Sequence, residues 1–379
     1  MDSFPLWHTS VTVPAESPIN LLASQLLLFA VSTMDRIRDI IFTPPPVDKK
    51  PKTRRTTLMS RCLCSTISAF WAHAHLLAQT DKAWIYVANM PPFRVTKMSR
   101  NTKRIFREYK VHSNVDATFK AMSKHLTMHG FDVDLPFVPE CSGFYPNISS
   151  SPCSETFKHL NGFPADASGY FMEYIRPLNE HHTKYLIKRY LTRTAQGQAL
   201  STCQSKHFLA KVYLGDTKPL SDPWNTDMHD RPAYLDHLLA ERVEVSYLAA
   251  SMGATLAILH WSCGVDARGV EFVLGRDTRG HVQFWLIDFA DCATFPKTPE
   301  AVVTQLVDAV MENEPFWPRF INIQALRKLW ACFRDAYLEM SDFIMTDAMI
   351  DYDNDAVRAL PYLFMMELEK IRGSGQLLA

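Results

Sequence analysis

The stretch Glu271-Phe272-Val273-Leu274-Gly275-Arg276-Asp277-Thr278-Arg279-Gly280-His281-Val282-Gln283-Phe284-Trp285-Leu286-Ile287-Asp288-Phe289-Ala290 decides the fold. Glu271 opens a short apolar strand, Phe272 to Leu274. A hairpin turn falls at Asp277 to Gly280, and the strand Val282 to Ile287 delivers Asp288-Phe289-Ala290 at its end. Upstream, a helix from Leu235 ends at Leu259-His260, with Val245, Leu248, Ala249, Met252, Leu256 and Leu259 in three-four rhythm. Asp266 then precedes Glu271 by five positions. A helix, two acids and a hairpin carrying a third acid thus follow one another.

Working outward, the N-terminal half alternates strands and helices. Leu21 to Ile41 reads as a helix, and Pro44 to Lys52 as an exposed linker. Strands are expected at Trp84 to Ala88, Phe93 to Met98, Leu135 to Val138 and Gly169 to Ile175. Helices are expected at Asn101 to His112 and Val115 to His125, and an irregular insertion between Pro139 and Ala167. The second half is mainly helical: Tyr185 to Thr192, Leu235 to Leu259, Pro299 to Met311, Ile323 to Asp342 and Ala356 to Lys370, with a loop over Tyr213 to Asp230. The expected class is α+β, with two lobes. We divide the chain into an N-terminal helix and basic linker (1–56), a small lobe with an insertion (57–171) and a helical lobe bearing the acids (172–379).

The composition is that of a folded chain: 23 Phe and 8 Trp exclude a wholly disordered one. The formal net charge of zero argues against a generic DNA coater. Charge is nonetheless clustered. Arg94, Lys97, Arg100, Lys103, Arg104, Arg107 and Lys110 face the single acid Glu108, a pattern suited to a phosphate backbone. Lys49 to Arg61 and Lys184 to Arg193 form further basic runs. The cysteine spacing gives no zinc pattern, so no metal site is expected. Leu21 to Val31 is too short for a membrane span and lacks the basic start of a signal peptide, so a cytoplasmic protein is expected.

The hairpin segment resembles the catalytic segment of protein and small-molecule kinases. In those enzymes a loop aspartate and a residue five further on face the transferred phosphate and metal, and an Asp-Phe-Gly aspartate holds magnesium. The resemblance implies a protein-kinase-like fold. It places Lys97 at the strand lysine, Glu108 at its helix partner, and Met172, Glu173 and Tyr174 at the hinge between lobes. Three departures stand out. Glu271 replaces the asparagine, Ala290 replaces the glycine, and the region matched to the glycine-rich loop, Cys62 to Phe70, has no glycine. These disfavour ATP chemistry, because side chains crowd the backbone approach that phosphates need.

The wording Met252-Gly253-Ala254, Leu259-His260, Gly264-Val265-Asp266, Gly269-Val270-Glu271-Phe272-Val273-Leu274-Gly275 and Ile287-Asp288-Phe289 also resembles a fungal family long known only as a domain of unknown function. Some of its members are similar to arginine-containing cyclodipeptide synthases of secondary metabolism. The resemblance spans roughly Thr57 to Lys370. It implies an enzyme that takes arginyl-tRNA and a second aminoacyl-tRNA and joins the two amino acids into a diketopiperazine. No cofactor is implied, with Mg serving only as a tRNA counterion or under a kinase reading. Glu271, Asp266, Asp288 and His260 are then the candidate catalytic residues, and Arg94, Arg100, Lys103, Arg104, Arg107 and Lys110 the candidate tRNA contacts. No membrane or DNA partner is implied. Two other readings are an ATP-dependent small-molecule phosphotransferase and a non-catalytic, pseudokinase-like binding protein.

Overall fold

The structure, a computed structural model, describes residues 74–80, 82–88, 94–130, 133–147, 164, 166–201, 207–219, 232–320, 324–346 and 355–375. The expected N-terminal helix, the basic linker and the Cys62 to Phe70 segment lie outside these residues. The N-terminal lobe is a five-stranded antiparallel sheet in the order β1-β2-β3-β5-β4. Its strands are β1 (Ala74–Gln79), β2 (Trp84–Ala88), β3 (Arg94–Ser99), β4 (Cys141–Tyr145) and β5 (Ser168–Glu173). One long helix, α1 (Thr102–His129), crosses this sheet.

α1 buries Ile105, Glu108, His112, Val115, Asp116, Phe119 and Leu126, spaced so that they share one face. Its start is capped by Asn101, whose side-chain oxygen accepts the Arg104 N–H at 3.0 Å. Its end is closed by Gly130 at φ +70°, whose N–H reaches the Leu126 carbonyl. The sequence suggests two helices separated near Ser113-Asn114, yet the helix runs through. The Asn114 amide is engaged elsewhere, donating to the Cys263 carbonyl at 3.3 Å, so it does not compete for its own backbone.

Strand β4 falls inside the supposed irregular insertion. It pairs with β5 as an edge strand, with the register slipping between Ser142 and Phe144. Gly143 sits at that slip with φ +60°, and such a bulge masks the strand period in the sequence. The expected strand at Leu135 to Val138 reduces to a single bridge, Phe137 to Trp285.

The C-terminal lobe contains a second sheet in the order β7-β6-β8-β9, formed by β6 (Ala210–Tyr213), β7 (Pro232–Tyr234), β8 (Glu271–Arg276) and β9 (Val282–Ile287). Around it lie α2 (Glu180–Tyr190), α3 (Arg193–Ser201), α4 (Leu235–Ala240), α5 (Val245–Ala257), α6 (Pro299–Ala301), α7 (Val307–Glu312), α8 (Gln324–Thr346), α9 (Asp355–Arg358) and α10 (Leu360–Gly375). A π turn, Ile258–Ser262, extends α5, and another, Val302–Leu306, joins α6 to α7. The single helix expected from Leu235 to Leu259 is broken between α4 and α5. Arg242 there turns to φ +60°, and Glu241 is tied to α2 by an ion pair to Arg189 at 3.0 Å and by the Tyr190 hydroxyl. Tertiary pairing overrides local helix preference here.

The core of this lobe is built on Trp261, Trp317, Trp330, Phe333, Tyr337 and Phe364, all buried. Helices α5 and α8 cross closely: a Cβ on Gly253 would lie 2.1 Å from the Phe333 carbonyl oxygen. Among the described residues no helix is long and apolar enough to cross a membrane.

The lobes join where β5 ends. Met172 pairs with Val95 and Cys141 inside the first sheet. The Glu173 carboxylate accepts the Glu140 N–H at 3.3 Å, and the Tyr174 hydroxyl meets His207 Nδ1 at 2.8 Å. Arg176 then exchanges backbone hydrogen bonds with Arg276 of β8, while Phe137 does the same with Phe284 and Leu286 of β9. Both crossings thus grip the acid-bearing hairpin. The chain has a protein-kinase-like, two-lobed α+β fold. A β-rich lobe carries one helix over its sheet, and a mainly helical lobe presents an acid at the end of a hairpin.

Candidate active site between the lobes

Lys97 is the centre of the interlobe cleft. On β3 it alternates with the buried Thr96 and Met98, so its side chain leaves the sheet on the face covered by α1. Its ammonium lies 2.6 Å from Glu108 of α1 and 3.0 Å from Asp288 of the second lobe. The strand lysine, the helix glutamate and the hairpin aspartate thus meet at one point. The Tyr170 hydroxyl donates to the other side of this network, reaching Glu108 at 3.0 Å.

Burial disfavours the charged Lys97, but Asp288 and Glu108 outweigh it and raise its pKa above the ordinary lysine range. Lys97 is therefore a fixed cation and no proton acceptor. Burial also works against an ionised Asp288, yet Lys97 holds its pKa below the usual value. Glu108 goes the other way: burial raises it more than Lys97 lowers it. Asp288 itself occupies the left-handed region, with φ +58°. Aspartate tolerates that conformation better than most residues, and the conformation turns its carboxylate towards Lys97 rather than along the strand.

A cavity of about 280 Å³ lies against this triad. Its walls include Thr80 and Lys82 of the β1–β2 turn, Ile85, Arg104, Ile105, Ala290 and Asp291. The turn is tight: the Thr80 hydroxyl accepts the N–H groups of Lys82 and Ala83 at 3.2 and 3.0 Å. No glycine occurs from Thr80 to Ala83, and this turn borders the cavity. Arg104 closes one side through an ion pair with Asp291 at 2.8 Å.

Glu271 lies beside the triad, paired in register with Ile287, the residue before Asp288. Its carboxylate receives Lys211 of β6 at 2.8 Å. Burial raises the Glu271 pKa, Lys211 draws it back, Asp288 pushes it up further and Lys97 opposes that. Lys211, Asp291 and Tyr170 are missing from the sequence reading. Each finds its partner across 60 or more residues of chain, so no local spacing marks it.

Asp266 and His260 do not reach the cleft. Asp266 is buried and spends its carboxylate on the Ala293 N–H at 2.9 Å, the Arg268 N–H at 3.2 Å and the Gln305 amide at 3.1 Å. It holds the Asp266 loop to the segment after Asp288. His260 is buried with Tyr337 3.0 Å from its Nδ1, and Trp261 donates to the same hydroxyl at 3.1 Å. Burial pushes the His260 pKa down to about 3. A neutral imidazole without solvent contact fixes the helix end and takes no part in proton transfer. The three acids read from the sequence therefore separate: Glu271 and Asp288 are neighbours, and Asp266 is structural.

The basic residues also divide. Arg94 pairs with Glu140 at 3.7 Å, and Arg100 with Asp166 at 3.2 Å while lying over the Trp84 ring. Arg104 is held by Asp291. Lys103, Arg107 and Lys110 are exposed on α1, and among the described residues none of the three has a carboxylate partner.

A divalent metal fits this donor set poorly. Asp288 is taken by Lys97 and Glu271 by Lys211, and the described residues contain no group of three or more His, Cys, Asp or Glu able to hold an ion.

The family model DUF3669, described as a zinc finger protein, matches residues 284–349. That stretch runs from β9 into α8, and its two cysteines, Cys292 and Cys332, are free thiols. No curated protein matches. A solved structure of the amicoumacin kinase hAmiN, in complex with AMP-PNP, Ca2+ and Ami, aligns over 82% of this chain and 94% of its own at 12% identity, with a TM-score of 0.23.

Proposed function

We propose that this chain is a tRNA-dependent cyclodipeptide synthase of the arginine-containing type, using a kinase-like scaffold without phosphotransfer. Arginyl-tRNA and a second aminoacyl-tRNA are the substrates. The α-amine of one amino acid attacks the ester carbonyl of the other and releases a tRNA 3′ hydroxyl. A second such attack closes the six-membered ring and frees the second tRNA. Each step needs a base for the ammonium proton and alignment of amine and ester.

The observation that carries this reading is Glu271. It stands where a phosphotransferase scaffold has a metal-binding asparagine, and its pKa is raised by burial and by Asp288. A carboxylate there repels a triphosphate. It suits instead the binding of a cationic amine and removal of its proton. Lys211 opposes the rise in pKa and aims the carboxylate. Asp288, held by Lys97, adds negative potential that attracts an ammonium or guanidinium. The resemblance of the Met252 to Phe289 segment to the fungal family supports the same reading.

The test uses purified protein, pre-charged arginyl-tRNA and a second charged tRNA, without ATP. The expected result is a cyclic dipeptide whose formation stops on RNase treatment and drops about 10²–10⁴-fold in Glu271→Gln. Absence of product, or full activity in that variant, overturns it. The Lys97–Glu108–Asp288 triad favours one second reading, nucleotide-dependent phosphotransfer. A thermal shift with ATP and magnesium, coupled to phosphate transfer, would select it. Neither outcome would leave a binding protein.

A further inference from the structure

We infer that the outer face of α1 is a stacking platform for the unpaired 3′ end of tRNA, with Phe106 as the base-stacking residue. This rests on the aminoacyl-tRNA reading above. At 3.6 residues per turn, Phe106, Lys110, Lys103, Arg107 and Arg104 follow one another around the helix in an unbroken arc. The arc begins at the edge strand of the first sheet, where Phe106 lies against Phe144 at 4.9 Å between ring centres. It ends at Arg104, which lines the cavity. Phe106 is a large apolar side chain left 42% exposed among the basic residues of the first turns of α1. The Lys110 ammonium sits 5.5 Å above its ring.

That combination has a chemistry of its own. A basic track follows a phosphate backbone whatever its sequence, and an exposed aromatic ring flanked by cations receives the face of an unpaired base. A duplex offers no free base face, and a protein partner would leave three exposed cations on one helix face uncompensated unless it were acidic. A single-stranded end satisfies both the ring and the charges. Running along the arc, it would bring its terminal ester to Arg104 and the cavity.

The experiment is a fluorescence anisotropy titration of the full chain against uncharged tRNA, intact or trimmed of its unpaired 3′ nucleotides. Trimming is expected to weaken wild-type binding about tenfold. Phe106→Ala should bind both RNAs alike, at the trimmed level, and Phe106→Trp should restore the difference. Lys103→Glu with Arg107→Glu should weaken both RNAs together and flatten the salt dependence. The inference is overturned if trimming has no effect on the wild type, if Phe106→Ala keeps the full effect, or if tRNA does not bind. Product formation is scored separately. An end preference without cyclic dipeptide would sink the synthase reading and leave this surface standing. Product without an end preference would do the reverse.

Discussion

Lys211 and Glu271 face each other across two neighbouring strands of the second sheet, ammonium to carboxylate at 2.8 Å, next to an aspartate that is already neutralised by Lys97. Two lysines from different lobes thus partition the charge of two adjacent acids. Lys97 locks Asp288 ionised, while Glu271 keeps a raised pKa against the pull of Lys211. The two neighbouring carboxyls are thus shifted in opposite directions, Asp288 below the ordinary carboxylate range and Glu271 above it.

Replacing Lys211 by Met removes the main influence that lowers the Glu271 pKa. The folded pKa then rises further, and a base that must be ionised is lost at higher pH. The acidic limb of kcat/KM against pH is expected to move upward in Lys211→Met, with the alkaline limb unchanged. Kinetics across pH 5 to 9 would check it, and an unmoved limb would exclude Glu271 as the base.

Lys97→Met leaves Glu108 buried without its cation. Breaking a buried pair by one partner costs about 3–5 kcal/mol, whereas replacing both partners by apolar groups is far milder. Chemical denaturation of Lys97→Met, Glu108→Leu and the double variant is expected to show strong coupling, with the double variant more stable than the Lys97 variant. Additive losses would mean that the pair is solvated in solution.

Asp288 at φ +58° predicts a difference between two variants that both lose its charge. Asp288→Asn keeps a residue that tolerates the left-handed region, and Asp288→Ala does not. The alanine variant is expected to be less stable by about 1 kcal/mol. Equal denaturation midpoints would show that the backbone relaxes out of this conformation.

Two buried histidines contribute to the acid sensitivity of the fold. Burial pushes His112 down to about 4 and His260 to about 3, against an ordinary value near 6.5. Between these values the unfolded chain binds protons that the folded chain refuses, so stability is full above about pH 6.5 and falls as pH drops towards 4. The slope of unfolding free energy between pH 6.5 and 5 should decrease by up to one proton in His260→Gln. An unchanged slope would contradict burial of a neutral imidazole.

Gly253→Ala is expected to collapse the crossing of α5 and α8, because its Cβ would meet the Phe333 carbonyl oxygen at 2.1 Å. Gly130→Ala has open space and strains only φ, at a cost of about 1 kcal/mol. Soluble yield and melting temperature of the two variants would distinguish them; equal behaviour would rule out the tight crossing.

The order strand, lysine strand, glutamate helix, hinge strand and acid-bearing hairpin was legible because each piece has its own period or turn signal. Lys97, Glu108 and Asp288 meet as the kinase resemblance implies. Asp266 and His260 were not separable from the reactive acids, since one-dimensional spacing places a residue near a loop without saying which way it points. Their partners Gln305 and Tyr337 lie 39 and 77 positions away. Strand β4 was hidden by its bulge, and the break before α5 by the ion pair of Glu241 with Arg189. In each case a distant contact decided between local options that the sequence leaves equal.

The tight turn from Thr80 to Ala83 forms one wall of the cavity beside the triad. Among the described residues the upper hairpin offers only this short eave above the triad, with no long flap folding down from it. These residues alone give a small molecule little shelter, but a reactive group carried on the tip of something much larger needs none. On the aminoacyl-tRNA reading proposed above, the bulky carrier stays outside, its narrow end enters sideways, and release requires only that the carrier withdraw.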